Sequence, residues 1–179
     1  MAYFPTNYTI PKSSGNGKYT KFEQGKTKFR ILSAPLIGFE YWNTDSKPVR
    51  ALEKFETIPL DAKLDNEGKF KQRHFWAMKV YNYNTKQVEV LEITQKTIQN
   101  TILEYAQNED FGDPRDYDIT VSRKGEAIET EYSTIASPPK EAGDEVKEAD
   151  AQTPVNLSAL LIGDNPFDAD ALDEIQLEN

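Results

Sequence analysis

Cations alternate with aromatic rings through the first half of this chain. Lys26, Lys28 and Arg30 occupy every second residue of one stretch, and Arg73, Phe75, Lys79, Tyr81 and Tyr83 fall on the odd positions of another. Tyr41, Trp42, Arg50, Lys54, Lys69 and Lys71 lie between the two. Cations neutralise phosphates and flat rings stack on bases, so this mixture is the chemistry of a sequence-tolerant single-strand binder. Successive side chains of a strand point to opposite faces. The odd positions of the second stretch therefore suit a solvent-facing groove, while His74, Trp76, Met78 and Val80 read as interior. Phe75, Tyr81 and Tyr83 are expected to contact bases; Phe29, Phe39 and Trp76 are expected in the core. Tyr41 and Trp42 point oppositely, so at most one of them stacks. Residues 70–83 hold no rigid donor–acceptor set aimed at base edges, which predicts weak sequence preference.

Net charge alone points away from nucleic acid, because the 179 residues carry −9. Its distribution points back. Residues 1–80 hold 14 Lys+Arg against 8 Asp+Glu, whereas residues 141–179 hold 1 against 11. A detached acidic tail can compete with DNA for the cationic groove. Phe167, Asp168, Asp170, Asp173 and Glu174 give that tail an apolar and acidic docking segment for partner proteins.

Other chemistries find little support. There is no Cys, which removes thiol nucleophiles, disulfides and thiolate metal sites and fits a reducing compartment. His74 is the only His, so a multi-His metal site is excluded. Gly15-Asn16-Gly17-Lys18 lacks the spacing of a phosphate-binding loop, with Tyr19 where Ser or Thr is needed. The best enzymatic alternative is a metal-dependent nuclease or junction-processing enzyme built on Glu109, Asp110, Asp113, Asp116 and Asp118. A helix-terminating acidic loop is the simpler account of those carboxylates. No catalytic residue, metal or cofactor is assigned. No apolar run has membrane-spanning length, so a soluble protein without a membrane partner is expected.

The elements that would position these residues follow from periodicity. Residues 1–17 end in a Pro-, Ser- and Gly-rich stretch that reads as a flexible arm. Strands are expected over 27–32, 36–42 and 48–58, with Gly38 as a bend or bulge, then over 70–81 and 88–93 around a turn at 82–87. Thr94 is a good N-cap for a helix carrying Ile98, Ile102 and Tyr105 on one face to about residue 107. A final hairpin spans 117–123 and 127–135, and Pro138-Pro139 closes the domain. Three strand regions, a helix and two strands are the element order of the OB-fold, a five-stranded Greek-key barrel with its helix between strands 3 and 4. The domains are then an arm at 1–17, a mainly β nucleic-acid-binding barrel at 18–139 and a disordered acidic tail at 140–179.

Several stretches resemble the OB-fold single-stranded DNA-binding proteins of tailed bacteriophages. They are Gly17-Lys18-Tyr19-Thr20-Lys21-Phe22, Gly25-Lys26-Thr27-Lys28-Phe29-Arg30-Ile31-Leu32, Gly38-Phe39-Glu40-Tyr41-Trp42 and Lys47-Pro48-Val49-Arg50, followed by His74-Phe75-Trp76-Ala77, Leu91-Glu92-Ile93-Thr94-Gln95-Lys96-Thr97-Ile98 and Asp113-Pro114-Arg115-Asp116-Tyr117-Asp118-Ile119. The similarity covers roughly residues 17–139. It implies coating of single strands during DNA replication, recombination and repair in the cytoplasm of the host cell, and an acidic tail that contacts replication and recombination proteins. Tails of many single-strand binders finish on an aromatic; this chain instead ends Leu177-Glu178-Asn179, with Pro166-Phe167 further back.

Overall fold

Alternation of Phe29 and Ile31 with Lys28 and Arg30 builds the first strand as expected. The computed structural model describes residues 18–168, so the arm at 1–17 and the positions Asp170, Asp173 and Glu174 lie outside the described residues. Strands β1 (Gly25–Ile31), β2 (Leu36–Trp42), β3 (Pro48–Ala51), β4 (Arg73–Asn82) and β5 (Gln87–Ile93) precede helix α1 (Lys96–Gln107); β6 (Asp118–Lys124), β7 (Glu131–Ala136) and helix α2 (Asp144–Gln152) follow. Short 3₁₀ turns occupy Pro114–Asp116, Ala127–Glu129 and Leu157–Ile162. No helix among the described residues is long and apolar enough to cross a membrane.

All seven strands join one antiparallel sheet in the order β3-β2-β4-β1-β6-β7, with β5 on the free side of β4. Both β1 and β2 pair with the same edge of β4, in the registers Ile31↔Val80 and Leu36↔Ala77. They are two halves of one bent strand, interrupted near Pro35, which cannot donate to a ladder. No ladder joins β5 to β7 among the described residues, so the sheet stays open where a five-stranded barrel would close. The outer edge of β5 is covered by Lys18–Thr20: Thr20 N–H donates to Val90 O and Val90 N–H to Lys18 O, both at 2.9 Å. That pairing hides an edge otherwise open to aggregation.

Two apolar layers sandwich β4. Met78 and Val80 face a core with Phe29, Leu91, Ile93, Ile98, Ile102 and Ile119. Phe75 and Ala77 face the other way, onto Val90 and Leu160, with Val155, Leu157 and Phe167 around them. Farther along the same face Tyr81 and Val88 pack on Val146 of α2. The disordered tail expected from residue 140 is therefore corrected for residues 144–168. Their few apolar side chains fold onto the outer face of β4 and β5, giving that segment the burial that its composition obscured.

Other elements differ in detail. Pairing of the third strand stops at Ala51, because only Pro48–Ala51 has a partner in β2. The cap of α1 is Gln95 and has no side-chain hydrogen bond, so Thr94 does not cap it. Residues 127–129 form a 3₁₀ turn and β7 begins only at Glu131. Gly38 stays in register opposite Phe75 and forms no bulge. It is required for space: a Cβ there would stand 2.3 Å from Ala51 O.

Beside Gly38's strand neighbours a charged cluster is buried. Arg50 bridges two carboxylates, with Nη2 2.6 Å from Glu92 Oε2 and Nε 3.2 Å from Glu40 Oε2. Burial pushes the Glu40 carboxyl up to about 8, and the neighbouring Glu92 carboxylate adds to the rise while Arg50 and Arg73 oppose it. The folded protein therefore keeps a proton that the unfolded chain releases near its ordinary 4.5. Stability is predicted to fall as pH rises from about 4.5 to about 8 and then to level off. Urea midpoints measured across this range will show that decline, and Glu40→Gln, which holds the neutral form, will flatten it.

Candidate nucleic-acid interface

The outer face of the sheet divides into a covered half and an open half. On the covered half stand four of the residues expected to grip a strand. Phe75 is fully buried against Leu160 of the Leu157–Ile162 turn. Tyr81 is 1 % exposed and its hydroxyl donates to Glu145 Oε1 at 2.9 Å. Lys79 Nζ lies 2.5 Å from Asp150 Oδ1 and donates to Asp150 O at 3.0 Å. Arg50 is held by Glu40 and Glu92 beneath the same cover. The face parity of β4 is as expected, but the solvent-facing groove is not. Phe75 and Tyr81 are corrected from exposed stacking platforms to core residues of a second layer, with Lys79 and Arg50 committed to carboxylates.

At the far end of the cover, Phe167 packs edge-on against Tyr19 with ring centroids 6.4 Å apart, and Lys18 Nζ sits 4.8 Å from the Phe167 centroid. Phe167 is thus part of the cover, half-buried on the chain's own N-terminal stretch rather than displayed for a partner. Asp168 beside it is exposed.

The open half lies on β1, β6 and β7. Lys26, Lys28 and Arg30 do share its outward face, opposite Ser122, Thr120 and Asp118. Asp118 organises it. Its carboxylate is buried and has Arg30 Nη1 at 3.4 Å, Lys28 Nζ at 3.6 Å and Lys140 Nζ at 3.7 Å. Tyr83 donates to Asp118 Oδ1 at 2.8 Å, and burial together with this bond pushes its hydroxyl pKa well up. Arg30 is itself buried; Nε donates to Arg115 O at 2.9 Å and Nη2 to Lys140 O at 2.7 Å. It is therefore a structural cation, which corrects its place in the contact set. Three cations around one carboxylate leave a local surplus of positive charge. The Lys28 side chain is 43 % exposed and that of Lys140 64 %, so that surplus reaches solvent. Lys28 Nζ also lies over the half-buried Tyr83 ring, 4.8 Å from its centroid.

The end of β2, the excursion after it and the start of β4 carry the remaining candidates. Tyr41 is 5 % exposed, donates to Asp61 Oδ1 at 2.7 Å and meets Phe55 and Phe70 edge-on. Its hydroxyl pKa is pushed up to about 12 by burial and by Asp61. Of the neighbouring pair it is Trp42 that faces solvent, at 42 % exposure. Lys54 is exposed; Lys69 and Lys71 pair with Glu67 and Asp65 at the surface, and Arg73 lies 3.6 Å from Glu40. The Lys69–Glu67 pair, exposed on both sides, is weak.

The carboxylates of the enzymatic alternative are not gathered. Asp113 holds Arg115 at 2.6 Å, Asp118 faces the cationic cluster, and Glu109, Asp110 and Asp116 are exposed. Among the described residues no three His, Cys, Asp or Glu side chains stand together as a metal site. Lys140, Glu145 and Asp150 are neighbours of the candidate side chains that sequence reasoning missed, and Asp118 was read only as one of the carboxylates after the helix. The only available signal was the alternation placing Asp118 outward in a strand beside Tyr117 and Ile119. Compared with known families, with curated proteins and with solved structures, the chain matches none.

Removing the Asp118 charge leaves the Arg30 guanidinium buried without its counter-ion. Asp118→Asn is predicted to cost about 3 kcal/mol or more in urea unfolding, whereas Tyr83→Phe, which deletes one hydrogen bond, costs about 1 kcal/mol.

Proposed function

We propose that this chain is a non-enzymatic single-stranded DNA-binding protein on an OB-type fold, which coats exposed strands during phage DNA replication, recombination and repair in the host cytoplasm. The element path supports the fold assignment. The bent β1–β2 strand, β4 and β5 take the places of the first three strands. Helix α1 follows, and β6 and β7 complete the set, with β3 as an addition inside the first long connection. The observation that carries the function is the open cationic face, where Lys28 stands over the Tyr83 ring beside Lys26 and Lys140. Cations in a row with a ring among them bind a backbone and a base without reading sequence.

The acidic C-terminal region has two roles in this reading. Residues 144–168 cover the β4–β5 half of the groove and place Glu145 and Asp150 on Tyr81 and Lys79. A strand first engages the open half and then competes with those carboxylates for the rest. The segment around Asp168, Asp170, Asp173 and Glu174 serves replication and recombination partners.

Fluorescence anisotropy with a dT oligomer across a salt series tests the reading. Affinity is predicted to fall linearly in log–log form, and Lys26→Ala and Lys28→Ala each to reduce the slope by about one. Duplex of equal length will bind more weakly, and Mg²⁺ or Mn²⁺ will not cause cleavage. The double variant Glu145→Gln/Asp150→Asn keeps the apolar cover yet weakens its charge, so it will bind several-fold more tightly at low salt. No binding of the dT oligomer by either protein in dilute buffer would sink the proposal.

A further inference from the structure

One polar cleft lies outside the covered and open halves described above. It opens at the end of the inner core, between the turn that joins β4 to β5 and the stretch at 19–27, and encloses about 340 Å³. Lys21, Lys26, Asn82, Asn84 and Glu89 are among its lining residues; the lysines and Asn84 are exposed, whereas Asn82 and Glu89 are buried. Asn84 joins it to the cationic stripe, because Nδ2 donates to Lys26 O at 2.8 Å and Oδ1 accepts from Lys28 N–H at 3.3 Å.

Glu89 and Asn82 are 2 % and 4 % exposed, and such burial needs a reason. Glu89 Oε1 accepts from Asn82 Nδ2 at 2.6 Å and from Thr20 Oγ1 at 3.0 Å. These bonds fix the carboxylate through Oε1, and Glu89 is among the residues that line the cleft. Asn82 Oδ1 is taken by the Asn84 N–H at 2.9 Å. Both amides are thus oriented by the protein, and Glu89, fixed by Asn82 and Thr20, is a rigid acceptor in the lining. Glu23 is in the same lining, so two carboxylates stand with the two lysines there.

We propose that this cleft is a base-reading subsite that takes one nucleotide with an exocyclic amino group, cytosine over thymine. The inference rests on the single-strand reading above. The cytosine amino group donates to a carboxylate. Thymine carries its one ring N–H between two carbonyl oxygens, which the Glu89 carboxylate repels. Lys21 and Lys26, both exposed, meet the phosphate. A strand lying along Lys28 and Lys26 passes the Asn84 turn and drops one base into the cleft. Preference for one pyrimidine at one position in each footprint remains modest overall, in keeping with a coating protein.

Anisotropy with equal-length dC and dT oligomers on the full chain decides it, since the two differ little in size and flexibility. The dC oligomer is predicted to bind about fivefold more tightly, the worth of roughly one hydrogen bond. Glu89→Gln keeps an oxygen for Thr20 and Asn82 but presents an NH₂ to the cleft, and it will erase or invert the preference. Equal affinities in the wild type overturn the subsite and leave the single-strand reading standing; failure of both oligomers to bind overturns both. A preference unchanged in Glu89→Gln also overturns the subsite. Should that variant not fold, amide shifts of the wild type decide: dCMP and not dTMP will move Asn84, Thr85 and Lys26, and equal or absent effects refute the assignment.

Discussion

Strand β4 is buried on both faces, and the rest of the molecule is arranged around that constraint. Met78 and Val80 point into the inner core while Phe75, Ala77 and Tyr81 point outward. Antiparallel sheets commonly leave one face to water, and alternation then separates polar from apolar. Here three outward positions of β4 are large or apolar, and a second layer is required. The chain supplies it from residues 142–167, an acidic segment after the core ends. Val146 and Leu160 are its buried anchors, each contributing roughly 1.5–3 kcal/mol on transfer from water.

That solution joins two properties that sequence composition keeps apart. The segment is acidic enough to read as solvated, yet it seals an apolar face. Its acids are placed where the face is polar: Glu145 on the Tyr81 hydroxyl and Asp150 on Lys79. Apolar burial sets the position and charge sets the register. The two respond differently to salt, because screening weakens the Lys79–Asp150 pair but leaves the contact of Leu160 with Phe75 untouched.

Local rules carried the reading of the sequence as far as neighbours within one element. The Lys26-Lys28-Arg30 stripe, the parity of β4, the α1 helix and the β4–β5 hairpin all follow from period and turn chemistry, and all are present. What failed depends on partners distant in sequence. Arg30 looks like any strand cation until Asp118, 88 positions later, is placed opposite it. Phe75 and Tyr81 look exposed until a segment some seventy residues downstream arrives. Val146, Val155, Leu157 and Leu160 are too widely spaced among acids to announce a buried face. The polar cleft was hidden for a related reason, since Glu89 and Asn82 become a rigid pair only through the hairpin and Thr20.

The division of the outer face also explains why a cationic surface can sit beside an acidic segment without collapsing onto it. At the open end the counter-ion is built in. Asp118 is buried beneath Lys28, Arg30 and Lys140, so it orders those cations while shielding little of their outward field. A buried carboxylate below and an incoming phosphate above do not compete for the same side of an ammonium. At the covered end Asp150 approaches Lys79 from the solvent side, where a phosphate would come. The Lys28 side chain therefore stays 43 % exposed and that of Lys79 12 %, each beside a carboxylate, and the side from which that carboxylate reaches the ammonium, together with the apolar cover, makes the difference.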